Sequence, residues 1–216
     1  MKEINVGKGQ CQGTARLLIK PVQAVVELGA WDDMLMKTLN AVHHLNRHAD
    51  IGDFVAAAFP VMSKGRSVIR AGHEVELIGS ETSLATLLQL DGIQTLKRRG
   101  MMIDPEICET YFEAGMTGAA YVRDHACMKH TAGWVRRTKA RAERRGKELG
   151  RKIKMQPDDV SSLILSYGST ILHVREIVAA FLEAPLMVST YGFSSPGEPA
   201  ILPVMPDSAR LVADAA

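Results

Sequence analysis

The chain has little of what disulfide-bonded, zinc-binding or membrane-spanning proteins need. Three of its 216 residues are cysteines, Cys11, Cys108 and Cys127, and their spacing forms no CxxC pair or other zinc pattern. We therefore predict free thiols in a reducing compartment, without a metal or other cofactor. No apolar run approaches the roughly 20 residues that cross a bilayer, and the polar start of the sequence is not typical of a signal peptide. These absences predict a cytoplasmic protein without membrane contact.

The net charge is also small, at +2, but the basic residues are unevenly distributed. Between Lys129 and Lys154 there are eleven Lys or Arg and two acids, a local charge of +9, while the rest of the chain sums to −7. Segregation on this scale favours a polyanionic partner over an ordinary solvated helix face. Arginine-rich helices suit structured RNA, although these residues alone do not separate RNA from DNA.

Apolar residues make up 46% of the chain, enough for a folded core, and their periodicity predicts the order strand, helix, strand, strand, helix, strand. The predicted strands are 15–20, 51–59, 67–80 and 101–108, and the predicted helices are 32–48 and 80–100. This is the order of the split βαβ, or ferredoxin-like, fold. We therefore predict an α+β protein with a ferredoxin-like N-terminal domain, 1–105, and a C-terminal RNA-binding half, 106–216, with short strands and an Arg-rich helix at about 134–150.

The predicted Arg-rich helix has two different sides. Its weakly apolar residues share one narrow stripe, and three arginines align on another face. The stripe consists of Val135, Thr138, Ala142 and Leu149, and the arginine face of Arg137, Arg141 and Arg144. Such a helix can pack on protein with one side while the other lies along phosphates.

Four segments, in this order along the chain, carry a resemblance to a known family. They are "KTLNAVHHLN" followed by "AAAFP", "GHEVELIGSETSLATLLQLDGIQTLKRRG", "YVRDHACMKHTAGWVRRTKARAERRG" and "STYGFSSPGEPAILPV". Together, with gaps from about residue 15 to residue 206, they resemble the CRISPR repeat-processing endoribonucleases of type I-F systems. In that family a histidine lies near the end of the first helix, an Arg-rich helix fits the major groove of a repeat hairpin, and a Tyr-Gly segment lies near the C-terminus.

The resemblance implies a site-specific endoribonuclease that needs no metal. The 2′-OH upstream of the scissile phosphate would attack it, giving a 2′,3′-cyclic phosphate and a 5′-OH. The enzyme would then stay on the 3′ hairpin of the CRISPR RNA within a type I-F surveillance complex (Cascade) and contact its other subunits. Two alternatives remain open: a non-catalytic subunit that binds structured RNA, and a DNA-binding regulator.

The resemblance also implies catalytic residues. The histidine position falls on His43 or His44, the serine position on Ser166 with Ser169 as a second choice, and the tyrosine position on Tyr191. Helix geometry favours His43, since it lies about 40° beyond Leu39 at the edge of the apolar stripe, where packing can hold the ring while its tip reaches a cleft.

The hairpin-binding positions of the family match a set of cations on the Arg-rich helix, namely Arg136, Arg137, Lys139, Arg141, Arg144 and Arg145. The family's linker Arg and Gln, which read the base of the stem, fall instead at Ala126 and Met128. We therefore expect that readout to be lost or to pass to Arg123, His125 or Lys129.

Overall fold

The computed structural model describes residues 4–64, 69–124, 132–146, 162–167 and 170–204. Over these residues the protein is a mixed helix and strand structure whose strand pairs are antiparallel. The strands are β1 (Lys8–Cys11), β2 (Ala15–Ile19), β3 (Ala56–Ala58), β4 (Ser63–Lys64), β5 (Ile69–Arg70), β6 (Val75–Gly79), β7 (Ile107–Glu109), β8 (Thr117–Arg123), β9 (Leu163–Tyr167), β10 (Thr170–Ala180) and β11 (Leu186–Ser189). The helices are α1 (Gln23–Glu27), α2 (Trp31–His48), α3 (Glu81–Gln89), α4 (Asp91–Arg98) and α5 (Ala132–Arg144).

A four-stranded sheet in the order β3-β6-β2-β7 occupies the first half of the chain. In its strand β2, Ala15, Leu17 and Ile19 are buried, whereas Arg16 is exposed and Leu18 half-buried. This is the alternation of a strand with one face on a core. Leu17 lies opposite Leu77 of β6 and Ile107 of β7, which sets the register of the three strands.

Helix α2 agrees with the helix predicted at 32–48. Leu35, Leu39 and Val42 are buried along one stripe, as the periodicity predicted. Asp32 and Asp33 lie in its first turn, where carboxylates favour the positive end of the helix dipole. Because the stripe is continuous over the whole length, α2 presents its edge residues at a defined angle to the core.

The helix predicted over 80–100 is instead two helices, α3 and α4. Leu90 between them is extended, with φ −64° and ψ 140°. The side-chain amide of Gln94 donates a 2.7 Å hydrogen bond to the carbonyl of Leu88, an end group of α3. The change of direction lets both short helices bury their apolar residues completely. These residues are Leu84, Leu87, Ile93 and Leu96.

The second half of the chain contains a three-stranded sheet in the order β8-β10-β9. Strand β8 occupies a glycine-containing stretch for which no strand was predicted. Strand β1, also not predicted, pairs with β11, so that Lys8 lies opposite Ser189. One cluster of buried side chains extends from Cys11 to Val204 and crosses residue 105 without a break. The division of the chain into two domains at residue 105 stays a prediction.

The cysteines that the structure describes are free thiols, as expected. Cys11 is buried and its thiol contacts the carbonyl of Ile78 at 3.2 Å, while Cys108 is exposed and Cys127 lies outside the described residues. Burial raises the pKa of the Cys11 thiol to about 12, so it stays protonated. In the described ranges no helix has the length and the apolar character to cross a membrane.

Candidate functional site

The two adjacent histidines of α2 point in different directions. His43 is half-buried at the edge of the apolar stripe, and His44 is exposed. The His44 ring lies 4.8 Å from that of His48, one turn along the helix, and lines a shallow hollow together with Leu90 and Asp91. Only His43 therefore faces the side on which the C-terminal part of the chain packs against α2.

Tyr191 is brought to His43 by a tight turn after β11. The Gly192 amide donates to the Ser189 carbonyl at 2.8 Å, and the Gly192 carbonyl accepts a 3.0 Å hydrogen bond from the Ala57 amide. Gly192 has φ +80°, and a Cβ there would lie 3.0 Å from the Ala57 nitrogen and 3.1 Å from a methyl of Val42. The left-handed backbone and the close approach both require glycine, which explains the Tyr-Gly pair.

Asn46, one turn beyond His43, joins the helix to this turn. Its side-chain amide donates to the carbonyls of Val55 at 2.8 Å and Thr190 at 3.3 Å, and its carbonyl oxygen accepts from the Val55 amide at 2.8 Å. Asn46 is completely buried. It therefore fixes the position along the helix at which Thr190 packs, and hence the position of the next residue, Tyr191. Sequence reasoning missed Asn46, although a polar residue within the buried stripe of α2 was a visible signal.

The His43 and Tyr191 rings are stacked, with centroids 4.2 Å apart and planes 8° from parallel. The guanidinium carbon of Arg123, the last residue of β8, lies 4.9 Å from the centroid of the same tyrosine ring, a cation–π contact. An imidazole, a phenol and a guanidinium from three distant parts of the sequence therefore form one group, which we call the stack.

The surroundings keep the His43 imidazole neutral. Burial lowers the pKa of His43 below its ordinary value, a hydrogen bond with the backbone of Thr190 raises it, and the cations Arg47 and Arg123 lower it further. The net direction is downward, so the ring is predominantly unprotonated near pH 7. A neutral imidazole held by stacking can accept a proton from a hydroxyl group placed at its tip.

Ser166 lies on the other side of the three-stranded sheet. It pairs with Ile171 across β9 and β10, whereas Arg123 pairs with Val174 across β8 and β10. Since Ile171 and Val174 are three residues apart on one strand, they point to opposite faces. Burial agrees, because Ile171 is 48% exposed and Val174 is fully buried. The structure thus brings His43 and Tyr191 together but not Ser166, and Ser169 lies outside the described residues.

A second polar group occupies the Ser166 face of the sheet and was not anticipated. The Ser162 hydroxyl lies 3.0 Å from Nδ1 of His173, and the Asp124 amide donates to the His173 carbonyl at 2.8 Å. Nε of Arg175 is 2.8 Å from Asp124 Oδ2, an ion pair. Burial lowers the pKa of His173, and the Asp124 carboxylate opposes this effect.

Helix α5 presents its cations to solvent. All six hairpin-binding candidates are exposed, five on the helix and Arg145 directly after it: Arg136, Arg137, Lys139, Arg141, Arg144 and Arg145. Val135, Thr138 and Ala142 are less exposed, in agreement with the predicted stripe, whose fourth member Leu149 lies outside the described residues. His125, Ala126, Met128 and Lys129 also lie outside them.

Within the ranges that the structure describes, no three His, Cys, Asp or Glu side chains are grouped so that they could hold a metal ion. No model of a known protein family matches the chain, and no curated protein matches it either. The geometry of the stack and the charge of α5 therefore carry the functional argument.

Proposed function

We propose that the protein is a metal-independent, site-specific endoribonuclease that cleaves CRISPR precursor RNA at the repeat hairpin. It then remains on the 3′ hairpin of its product as one subunit of a type I-F surveillance complex. The observation that carries the proposal is the half-buried, neutral His43 stacked on Tyr191 beside Arg123. The sheet order β3-β6-β2-β7, with helices between β2 and β3 and between β6 and β7, supports a ferredoxin-like N-terminal part.

In this reaction His43 acts as the general base. A ring nitrogen within about 2.6–3.2 Å of the upstream 2′-OH takes its proton as the oxygen attacks the adjacent phosphorus. The bond from phosphorus to the 5′-oxygen breaks, which leaves a 2′,3′-cyclic phosphate and, once that oxygen gains a proton, a 5′-OH. The lowered pKa of His43 suits this role because the base must be unprotonated before the attack.

Tyr191 holds the imidazole in place. Parallel ring stacking at 4.2 Å restricts rotation of the His43 side chain, and such aromatic contacts are worth about 0.5–1.5 kcal/mol beyond the burial of area. The backbone of Thr190 fixes the ring further through its hydrogen bond. A base held at one rotamer loses less entropy when the substrate binds.

The exposed arginine face of α5 supports binding of the hairpin. Guanidinium groups can bridge phosphates of both strands and contact base edges, and their charge is not balanced by acids on the same helix apart from Glu143. This face would supply the affinity, and the stack would supply the chemistry.

The test is cleavage of a labelled repeat RNA with and without EDTA. We expect unchanged cleavage in EDTA and none when the nucleotide upstream of the cut is 2′-deoxy, with binding retained. His43→Ala should lose at least about 100-fold in rate, the usual worth of a positioned acid or base, and His44→Ala is the matched control with substantial activity. A requirement for Mg²⁺, or an active His43→Ala variant, would refute this mechanism.

A second candidate, a non-catalytic subunit that binds structured RNA, is favoured by the position of Ser166 on the face opposite Arg123. Tight, salt-sensitive hairpin binding without cleavage of any repeat RNA would select it. A DNA-binding regulator would have to bind duplex DNA of matching sequence at least as well as the RNA hairpin.

A further inference from the structure

Arg123 is held more firmly than a linker residue that reads bases would require. It ends β8, where its backbone amide donates to the Ser194 carbonyl at 2.9 Å and its register partner is the buried Val174. Its side chain is half-buried and lies over Tyr191. The position of the guanidinium is thus fixed from two sides by the sheet and by the tyrosine.

The guanidinium of Arg123 has one N–H group that makes no hydrogen bond within the described part of the chain. Its Nε–H is buried and has no hydrogen-bond partner in the described part of the chain, and no carboxylate there forms an ion pair with it. A buried donor without a partner is unfavourable, so the site gains when an acceptor arrives. A phosphate oxygen is the acceptor that matches the planar donor edge of arginine best.

We propose that Arg123 contacts a non-bridging oxygen of the scissile phosphate itself and stabilises the charge that builds up there during attack. This role rests on the function proposed above and differs from reading the base of the stem. It makes Arg123 the electrostatic partner of the base His43, with Tyr191 in contact with both.

The dimensions of the stack fit one phosphodiester. The two ring distances place the guanidinium carbon of Arg123 no more than about 9 Å from the His43 ring. A hydroxyl hydrogen-bonded to the imidazole at about 3 Å, an attack distance of about 3–3.5 Å, the P–O bond and a hydrogen bond of about 2.8 Å between phosphate oxygen and guanidinium together reach at least this far. One linkage can therefore touch both groups at once.

The same cation also helps to keep the base unprotonated, since Arg123 is one of the charges that lower the pKa of His43. Lysine would supply a charge but not a flat group that stacks on Tyr191. We therefore expect Arg123→Lys to keep part of the function and Arg123→Met to lose it.

The test uses a repeat RNA that cannot be cleaved because the upstream nucleotide is 2′-deoxy. Its scissile phosphate is either natural or replaced by an uncharged methylphosphonate. In the wild type the replacement should weaken binding about tenfold or more, the worth of one hydrogen bond to a charged group. In Arg123→Met this penalty should fall below about twofold, and Arg123→Lys should be intermediate. Arg99→Met, which removes an exposed arginine at the end of α4, is the matched control and should keep the full penalty.

A methylphosphonate one linkage downstream should weaken RNA binding equally in the wild type and in Arg123→Met. This equality shows that the variant still binds as a folded protein. An unchanged penalty at the scissile position in Arg123→Met would overturn the contact, as would its absence in the wild type. The cleavage assay separates the two proposals. If the wild type shows the binding penalty but never cuts the all-ribose substrate, the proposed function is refuted and the contact between Arg123 and the phosphate is supported.

Discussion

Asn46→Ala should damage both the stability of the protein and the candidate site. The side chain of Asn46 satisfies both backbone groups of Val55 and reaches the carbonyl of Thr190, all of which are buried. Alanine makes none of these hydrogen bonds. The amide and the carbonyl of Val55 are then left without this partner.

The size of the effect follows from these contacts. A buried backbone group that loses its partner costs about 1–3 kcal/mol, so two such groups cost about 2–6 kcal/mol. For a chain of this length, 1 kcal/mol lowers the melting temperature by about 2–4 °C, so a decrease of roughly 4–24 °C is expected. Because Thr190 also loses its contact with the helix, Tyr191 should stack less well on His43 and cleavage should slow.

The assay is thermal unfolding followed by circular dichroism, together with the single-turnover cleavage rate at a temperature where each variant is folded. Asn40→Ala is the matched control, since Asn40 is an exposed asparagine on the same helix. Asn40→Ala should change the melting temperature by no more than about 2 °C, because surface substitutions usually change the free energy of unfolding by less than about 0.5 kcal/mol. Equal melting temperatures for the two variants would refute the role assigned to Asn46.

Three other outcomes are expected. Replacing three arginines on one face of α5 by glutamine should flatten the slope of log affinity against log salt by roughly two to three, and an unchanged slope would mean that this face is merely solvated. The three are Arg137, Arg141 and Arg144. Gly192→Ala should cost about 1–2 kcal/mol in the free energy of unfolding because of its positive φ, while Gly197→Ala, with open space around it, should cost less than half of that. Burial lowers the folded-state pKa of both His43 and His173, so the unfolded chain binds more protons at these two residues. The melting temperature should therefore fall as pH decreases through about 6.5, and it should fall less in His173→Gln. A melting temperature that does not change with pH would contradict this.

The sequence predicted the local elements of the first half well, because their signals are local. Ser80 caps α3, its hydroxyl accepting from the Ser83 amide at 3.1 Å, and Gly100 follows the end of α4 with φ +61°. The break at Leu90 was missed, since neither proline nor a glycine at that position marks it. Strands β1 and β8 were missed because their composition is polar or glycine-containing and their strand character comes from pairing with distant residues.

The candidate site was predictable only in part. The edge position of His43 follows from the apolar stripe of α2, and the structure has it half-buried while His44 is exposed. The approach of Tyr191 depends on the pairing of β1 with β11 and on the turn at Gly192, which no periodicity in the sequence encodes. Resemblance to a family supplied Tyr191 as a candidate, but it supplied Ser166 as well, which the register of β9 and β10 places on the other face.

The pairing of β1 with β11 has a consequence for how the protein is made. The first described strand finds its partner only at Leu186–Ser189, and His43 meets Tyr191 only after that partner has arrived. During synthesis, which adds about 5–20 residues per second, every earlier segment can leave the ribosome while the stack is still incomplete. The proposed cleavage activity should therefore appear abruptly, when the segment through Phe193 is free to fold. Under the proposed function, a nascent chain arrested before that point would bind the transcript through α5 without cutting it.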